Sequence, residues 1–354
     1  MLGDGIGPEI VPAARRLIDE GLRGAGGLPP DWVDLPMGAA AIAEYGLAMP
    51  SSNFEALAGC DGWLMGPHDS QSYPAGWHAG AERVPSAEVR GRYELFANIR
   101  PCRNRLTVPS MVRDVDLVIV RENTEGLYSD RNMFTGSGEF MPVPGVALSI
   151  GLFTSKAIKR IAEVAFDLAR TRRRHVTIVH KANAMPTSFG LFLRECRAVA
   201  ESYPDVRVDD FLFDSIAAAL VRHPQQFDVI VTENLIGDTL SDLAGELVGA
   251  LGMAGSVNVG ERYGMAQAAH GSAPDIAGRD VANPVGMIAS AAQLLRWLGD
   301  RRGDAAAAGA GRQIEAAVDA VLAAGIRTPD LGGTAATTDF TDAVAAEMTR
   351  PGTR

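Results

Sequence analysis

Three arginines, three aspartates, a lysine and a tyrosine carry the chemistry this sequence can do. Arg90 and Arg100 stand ten residues apart around Leu95-Phe96-Ala97-Asn98, and Arg121 ends an apolar run at 117–120. A guanidinium is a fixed fork that meets two carboxylate oxygens at once, so three converging arginines suit a di- or tricarboxylate. Taken singly, each arginine reads more simply as a surface ion-pair former. Arg121 is the exception, because a charge is unexpected at the end of an apolar strand. Asp238 and Asp242 are spaced i, i+4 in Ile236-Gly237-Asp238-Thr239-Leu240-Ser241-Asp242-Leu243, which puts both on one helix face. Like charges there repel unless a cation lies between them, and a hard divalent metal resolves that. The alternative is a solvated acidic turn favoured by the helix dipole. Asp214, at another helix start, is a candidate third oxygen ligand. Lys181 closes the strand that ends in Val179-His180. In a cleft it would serve as a base; on a surface it would snorkel to water. Tyr128, seven residues beyond Arg121, is a candidate proton donor or a half-buried packing residue.

Two small-residue segments add to this. Gly3-Asp4-Gly5-Ile6-Gly7-Pro8-Glu9 precedes a helical pattern, with Pro8 suited to its first turn. Glycines let backbone amides approach an anion or cofactor closely. The spacing is not the dinucleotide fingerprint, and no Lys-Ser/Thr follows as in a phosphate loop. A plain tight turn is equally consistent. His270-Gly271-Ser272-Ala273-Pro274-Asp275 would wrap an adenosine, with Asp275 accepting from ribose hydroxyls, or is merely a turn. His270 has no second His or Cys at ligand spacing, so no zinc site is read there.

The elements that must position these groups follow from periodicity. Residues 62–65, 117–120, 176–179 and 229–232 are short apolar or β-branched runs and read as buried strands. Thr154 or Ser155 caps a helical pattern through Ile158, Ile161, Ala165 and Leu168. Ile288, Ala291, Leu295 and Leu298 repeat that spacing, as do Ile314, Val318, Val321 and Leu322. Alternating strand and helix predicts an α/β fold with a largely parallel sheet. Residues 130–153, rich in Gly and Pro, read as an extended arm or hairpin. Residues 303–311 read as a loop plus a helix start. No solenoid-type repeat is present.

The 354 residues suggest about two domains. With 47% hydrophobic and 21% charged residues, disorder and collagen are excluded and a sizeable core is expected. The net charge of −10, from 33 basic and 43 acidic residues, argues against nucleic acid, while a local arginine cluster still permits anionic substrates. No apolar run is long enough for a membrane span, and no secretory pattern opens the chain. Cys60, Cys102 and Cys196 are widely spaced and make no disulfide framework, which fits a reducing, cytoplasmic compartment.

Together the motifs resemble the isocitrate/isopropylmalate dehydrogenase family of decarboxylating 2-hydroxyacid dehydrogenases, nearly end to end. The markers are GDGIGPE at 3–9, LFANIRP at 95–101, VRENTEGLYS at 120–129, HKANAM at 180–185, TENLIGDTLSDLAGELVG at 232–249, HGSAPDIAGRDVANP at 270–284 and TPDLGG at 328–333. The resemblance implies a two-domain α/β fold with a central mixed sheet and flanking helices, not a Rossmann dinucleotide fold. It implies a large, cofactor-side domain of 1–95 plus 248–354. The small, dimerisation domain is then 96–247, with an arm at about 130–153.

It further implies that Arg90, Arg100 and Arg121 clamp substrate carboxylates, with Ser86 beside them, and that Tyr128 and Lys181 move protons. Asp214, Asp238 and Asp242 match the metal ligands for Mg²⁺ or Mn²⁺. Asn183, His270, Gly271, Ser272, Ala273, Asp275, Ile276 and Asn283 match cofactor contacts. Lys181 and Asp214 would enter from the neighbouring subunit, making a homodimer obligatory. NADP-using relatives carry Lys-Tyr where this chain has Asp275-Ile276, and a carboxylate there repels a 2′-phosphate, so NAD is expected.

The substrate would be a hydroxy-di- or tricarboxylate. Isopropylmalate enzymes place two leucines where Ser86 and Ala87 stand, so a polar, isocitrate- or homoisocitrate-like substituent is favoured. Isopropylmalate, D-malate, tartrate or a specialised-pathway acid stays open, since the isocitrate-type Ser-x-Asn is replaced by Val84 and Ser86. A non-catalytic regulatory paralogue is the other class, disfavoured because the clamp, proton-transfer and metal positions are all filled. Relatives carry a full strand before the glycine loop; this sequence has two residues there, so either a start further upstream or a sheet short of one strand is expected.

Overall fold

The computed structural model describes residues 1–74, 84–128, 133 and 136–350. Helix α1 (Gly7–Gly24) starts with Pro8 in its first turn and buries Ile10, Ala14 and Leu17. Helices α2 (Ala39–Tyr45) and α3 (Ser51–Ala58) lead to strand β1 (Trp63–Leu64), and α4 (Pro85–Arg92) leads to β2 (Ala97–Arg103) and β3 (Asp116–Glu122). A hairpin follows, β4 (Glu139–Val143) and β5 (Val146–Ser149). Then come α5 (Ser155–Arg170), β6 (His175–His180), α6 (Ser188–Ala200), β7 (Arg207–Leu212), α7 (Phe213–Arg222), β8 (Val229–Thr232) and α8 (Asn234–Val248). The chain closes with β9 (Val257–Val259), β10 (Gly264–Ala266), α9 (Val285–Arg302), α10 (Ala305–Ala323) and α11 (Thr337–Met348). Among the described residues no helix is long and apolar enough to cross a membrane.

Eight strands form one sheet in the order β1-β10-β9-β2-β3-β8-β6-β7, flanked by helices. The β3, β8, β6 and β7 strands are parallel, as the strand–helix alternation predicts. The middle is not: β10 and β9, β9 and β2, and β2 and β3 pair antiparallel. The sheet is therefore mixed, as the family resemblance implies, rather than largely parallel, as the strand–helix alternation alone predicts. The physical reason is that no crossover helix separates β2 from β3 or β9 from β10, and such short links join only antiparallel neighbours. Strands from the two chain ends meet strands from the chain middle at the β9–β2 pairing. At the β1 edge the Met1 amine donates to the Leu64 carbonyl (3.1 Å), and Gly66 N–H donates to the Met1 carbonyl (3.0 Å).

Local signals explain most boundaries. Thr154, not Ser155, is the cap of α5: its hydroxyl accepts from Ala157 N–H at 3.2 Å, while Ser155 Oγ donates to Glu195. The predicted loop in 303–311 is shorter than expected. Asp304 accepts from the Ala306 and Ala307 amides, so the alanines that follow, the best helix formers, already belong to α10. The predicted arm contains the β4–β5 hairpin, every residue of which is exposed, including Phe140, Met141, Val143, Val146 and Leu148. Residues 130–132 and 134–135 of that arm lie outside the described residues.

Candidate active site

Arg100 lies on β2 and Arg121 on β3, and both are buried. Alternation carries Arg121 onto the Leu117 and Ile119 face, beneath α8. A Cβ on Gly237 of α8 would stand 2.7 Å from the Arg121 side chain, so only glycine lets helix and arginine approach this closely. Opposite stands Asp238, the next residue of the same helix, half-buried. Its Oδ1 accepts from Arg100 Nη2 at 3.0 Å and from Arg121 Nη1, and its Oδ2 accepts from the Tyr128 hydroxyl at 2.7 Å. Arg100 also reaches Asp242 Oδ1 at 3.3 Å and Ser241 Oγ at 2.7 Å. Arg121 Nε donates to Asn234 Oδ1 at 2.9 Å. Two of the three predicted clamp arginines, two of the three predicted metal aspartates and the predicted proton donor thus form one linked cluster.

The loop that carries Tyr128 is held by two buried carboxylates: Glu122 accepts from the Thr124 and Glu125 amides, and Glu233 from the Leu127 amide. Buried Glu233 caps α8, accepting from the Ile236 and Leu235 amides, and also takes Leu127 N–H at 3.1 Å. Asn234 Nδ2 donates to the Glu125 carbonyl at 2.9 Å. Helix α8 and the Tyr128 loop therefore share one anchor, which sets the phenol over Asp238.

Charge in the cluster is arranged, not averaged. Burial alone would raise the Asp238 carboxyl, but the Arg121 and Arg100 guanidiniums and the Tyr128 hydroxyl outweigh it and bring it down to about 2. Asp242 moves the other way: burial pushes its carboxyl up, Arg100 opposes, and Asp238 adds repulsion. Asp238 is firmly ionised, and its neighbour would gain from a cation between the two.

Arg90, on α4, completes the arginine set. It is buried and donates to Gln267 Oε1 at 2.8 Å. One turn before it, buried Ser86 shares a 3.0 Å hydrogen bond with His68 Nε2. Lys181 stands apart from the aspartate pair. Its Nζ donates to Asp214 Oδ1 at 2.5 Å, and this bond holds the Asp214 carboxyl below its ordinary range. Among the described residues no three metal-ligating side chains come together, so Asp214 does not join Asp238 and Asp242 within one chain. Asn183 is exposed in the turn after Lys181.

The predicted cofactor loop faces the glycine loop. Ile6 N–H donates to the Ser272 carbonyl at 2.9 Å, and a Cβ on Gly5 (φ 56°) would meet that carbonyl at 1.9 Å. The glycines at 3–7 therefore serve close packing of two loops. Asp4 organises this region: it accepts from Ala39 N–H, Asp69 N–H and the Tyr73 hydroxyl. Gly271 and Asp275 are exposed, Ala273 and Ile276 are half-buried, and Ser272 is buried. Burial lowers the His270 imidazole, and among the described residues its buried Nε2 has no hydrogen-bond partner. Asn283 spends both ends of its amide on Asp330 and Val285 N–H.

Reading the sequence missed Asn98, Asn234, Gln267 and His68. Asn98 was within reach, since it lies two residues from Arg100 on one strand face. Gln267 and His68 carried no local signal, because only the fold brings them to Arg90 and Ser86.

A family profile described as isocitrate/isopropylmalate dehydrogenase matches residues 1–344. The chain is 43% identical over 347 residues to the isocitrate/homoisocitrate dehydrogenase of Thermus thermophilus, covering 98% of this chain and 96% of that one. It is 38% identical over 353 residues to the 3-isopropylmalate/3-methylmalate dehydrogenase of Methanocaldococcus jannaschii, covering 98% and 97%. A catalytic subunit of the mitochondrial NAD isocitrate dehydrogenase of Arabidopsis thaliana is 37% identical, covering 98% and 87%. The crystal structure of isocitrate dehydrogenase from Methylococcus capsulatus superposes with a TM-score of 0.86 at 36% identity, covering 99% and 98%.

Proposed function

The chain belongs to the isocitrate/isopropylmalate dehydrogenase family, and from that premise we propose a more specific activity. It oxidises and decarboxylates a 2-hydroxy acid bearing a 3-carboxylate, isocitrate- or homoisocitrate-like, with NAD and a divalent metal. The observation that carries this reading is the cluster of Arg100, Arg121, Asp238, Asp242 and Tyr128, with Arg90 beside it. Buried guanidiniums need anions, and a substrate with two or three carboxylates supplies them. Ser86 and His68 line the approach to Arg90 with hydrogen-bonding groups, which favours a polar substituent over an isopropyl group.

The residues present fit the two groups that the family implies. Asp238 and Asp242 offer carboxylate oxygens one helical turn apart, suited to Mg²⁺ or Mn²⁺. The buried Nε2 of His270 and the exposed Asp275 carboxylate suit an adenosine. When bound, the metal would polarise the substrate hydroxyl and stabilise enolate charge, and the nicotinamide would supply the hydride acceptor.

The chain's own groups do the rest. Arg90, Arg100 and Arg121 bind the carboxylates and orient C2 and C3. Lys181 Nζ takes the C2 hydroxyl proton as oxidation proceeds. The 3-carboxylate leaves as CO₂, its bonding pair passes to C3, and Tyr128 Oη delivers a proton to that carbon. Solvent restores the phenol. Separation of the Lys181–Asp214 pair from the aspartate pair, together with the exposed apolar hairpin, supports a homodimer in which the partner subunit's Lys181 and the partner subunit's Asp214 complete each site.

The first test is NADH formation with Mg²⁺ across isocitrate, homoisocitrate, 3-isopropylmalate, D-malate and tartrate, with NADP alongside. One of the first two acids should lead in kcat/KM by about 10²-fold. Folded, dimeric protein that is silent across the panel overturns the proposal and revives the regulatory-paralogue reading. A second expected result concerns the cofactor. Asp275→Lys with Ile276→Tyr removes a charge that repels a 2′-phosphate and adds one that attracts it. The ratio of kcat/KM with NADP to that with NAD should rise by about 10²-fold; an unchanged ratio removes Asp275 from cofactor selection.

A further inference from the structure

Arg90 and Arg100 stand on different elements, α4 and β2, yet a run of hydrogen bonds, carried across the backbone and side chain of Gln267, joins them. Arg100 Nε donates to Asn98 Oδ1 at 2.6 Å. Asn98 Nδ2 donates to Asn258 Oδ1 at 2.8 Å and to Ser256 Oγ at 3.3 Å. Ser256 Oγ donates to the Gln267 carbonyl at 2.5 Å. Gln267 Oε1 receives Arg90 Nη2 at 2.8 Å, closing the run. Asn258 is also held by Asn123 Nδ2 at 3.0 Å and itself donates to the Met265 carbonyl at 3.3 Å. Asn98, Asn123 and Asn258 are 0% exposed, Ser256 is 1% and Gln267 is 7%.

Burying five uncharged polar side chains in one layer is costly unless their partners are met, and apolar residues would pack the same space more cheaply; Asn123 Oδ1, outside the run between the arginines, has no hydrogen-bond partner among the described residues. The run crosses the β9–β2 pairing, where Asn98 and Asn258 stand opposite each other. It therefore ties the strand carrying Arg100 to Gln267, the residue after β10, which holds Arg90. Because amides keep one charge state, the connection does not change with pH or with the charge of a ligand above it. A guanidinium has several rotatable bonds, and fixing its Nε and Nη atoms in advance lowers the entropy lost when a carboxylate docks.

We propose that Asn98, Asn258, Ser256 and Gln267 are positioning residues that set the spacing of Arg90 and Arg100 for a substrate with two carboxylates. This rests on the reading of those arginines as a carboxylate clamp. It predicts that cutting either end of the run damages substrate binding selectively.

Gln267→Met keeps the side-chain length and removes the acceptor. With the most active acid of the panel, its KM for the acid should rise about 10-fold, while kcat changes less than about 3-fold and KM for NAD is unaltered. Asn98→Ala should do the same from the other end. The double variant should be no more than about 3-fold worse than either single one, because both break one connection. Equal rises in both KM values, or effects of the two variants that multiply, mean separate local roles and overturn the proposal. If Asn98→Ala does not fold, Gln267→Met decides alone by its KM and kcat. A wild type active on a panel acid, with a Gln267→Met variant of unchanged KM, defeats this inference only; a wild type active on none defeats the clamp reading and this inference with it.

Discussion

Lys181→Met loses about 10³-fold in kcat while the protein stays folded and keeps the assembly state of wild type, and its KM for NAD is unchanged. The loss is large because the neutral Lys181 amine is the proposed acceptor of the hydroxyl proton, and methionine has the length but no basic nitrogen. The fold should tolerate the change, because the turn is held by other groups. Buried His180 accepts Ala182 N–H on Nδ1 at 3.1 Å and shares its Nε2 with Asp210 at 3.1 Å. Asp210 is in turn paired with Arg197. The variant removes only the Lys181–Asp214 contact, in which the Asp214 side chain is 63% exposed.

The same variant tests the shared site. Lys181→Met and Asp242→Asn, each nearly inactive, are unfolded together, refolded and assayed. If a site takes its lysine from one chain and its aspartates from the other, half the refolded dimers are mixed, each with one intact site. Activity should then return to about a quarter of wild type. No recovery, with mixed dimers demonstrated, would mean that each chain holds a complete site and that Lys181 is not delivered by the partner.

The sequence was most legible where one residue's neighbours along the chain are also its neighbours in space. The strand holding Arg121 and the helix holding Asp238 and Asp242 could be read from period 2 and period 3.6, and with them the shared face of each. Their convergence was legible only through the resemblance, because Arg100, Arg121, Tyr128 and Asp238 lie on four segments that the fold alone brings within bonding distance. The direction of the central strands was misread, since a short apolar run looks the same in a parallel and an antiparallel pair. The amides beneath the arginines escaped for a similar reason. Asn258 and Gln267 have no pattern of their own, and their role exists only once β9 lies against β2. The glycines at 3–7 were read as a possible ligand cradle; the 1.9 Å approach that a Cβ at Gly5 would make to Ser272 gives them a packing role first.

Asp238→Ala should be the most destabilising single change in the site. Arg100 and Arg121 have side chains 6% and 3% exposed, and Asp238 is the carboxylate they share. Removing it leaves Arg121 without that carboxylate and Arg100 with Asp242 alone, a defect that costs about 3–5 kcal/mol and lowers Tm by about 5 °C. The pH dependence has a fixed sign. Asp238 is held at about 2 in the folded protein, below an unfolded value of about 3.9. Its contribution is therefore complete above the unfolded value and is lost as pH falls through the folded one. The depression corresponds to something on the order of 2 kcal/mol. The Tm difference between wild type and Asp238→Ala should accordingly be widest near neutrality and narrow as acid is added below about pH 4. Added Mg²⁺ should raise the Tm of wild type and leave that of the variant in place, because binding to the folded state alone is what stabilises it. A variant as stable as wild type near neutrality, or a difference that persists in acid, would show that Arg100 and Arg121 are neutralised by something other than this carboxylate. An equal Mg²⁺ response in both proteins would move the metal away from α8.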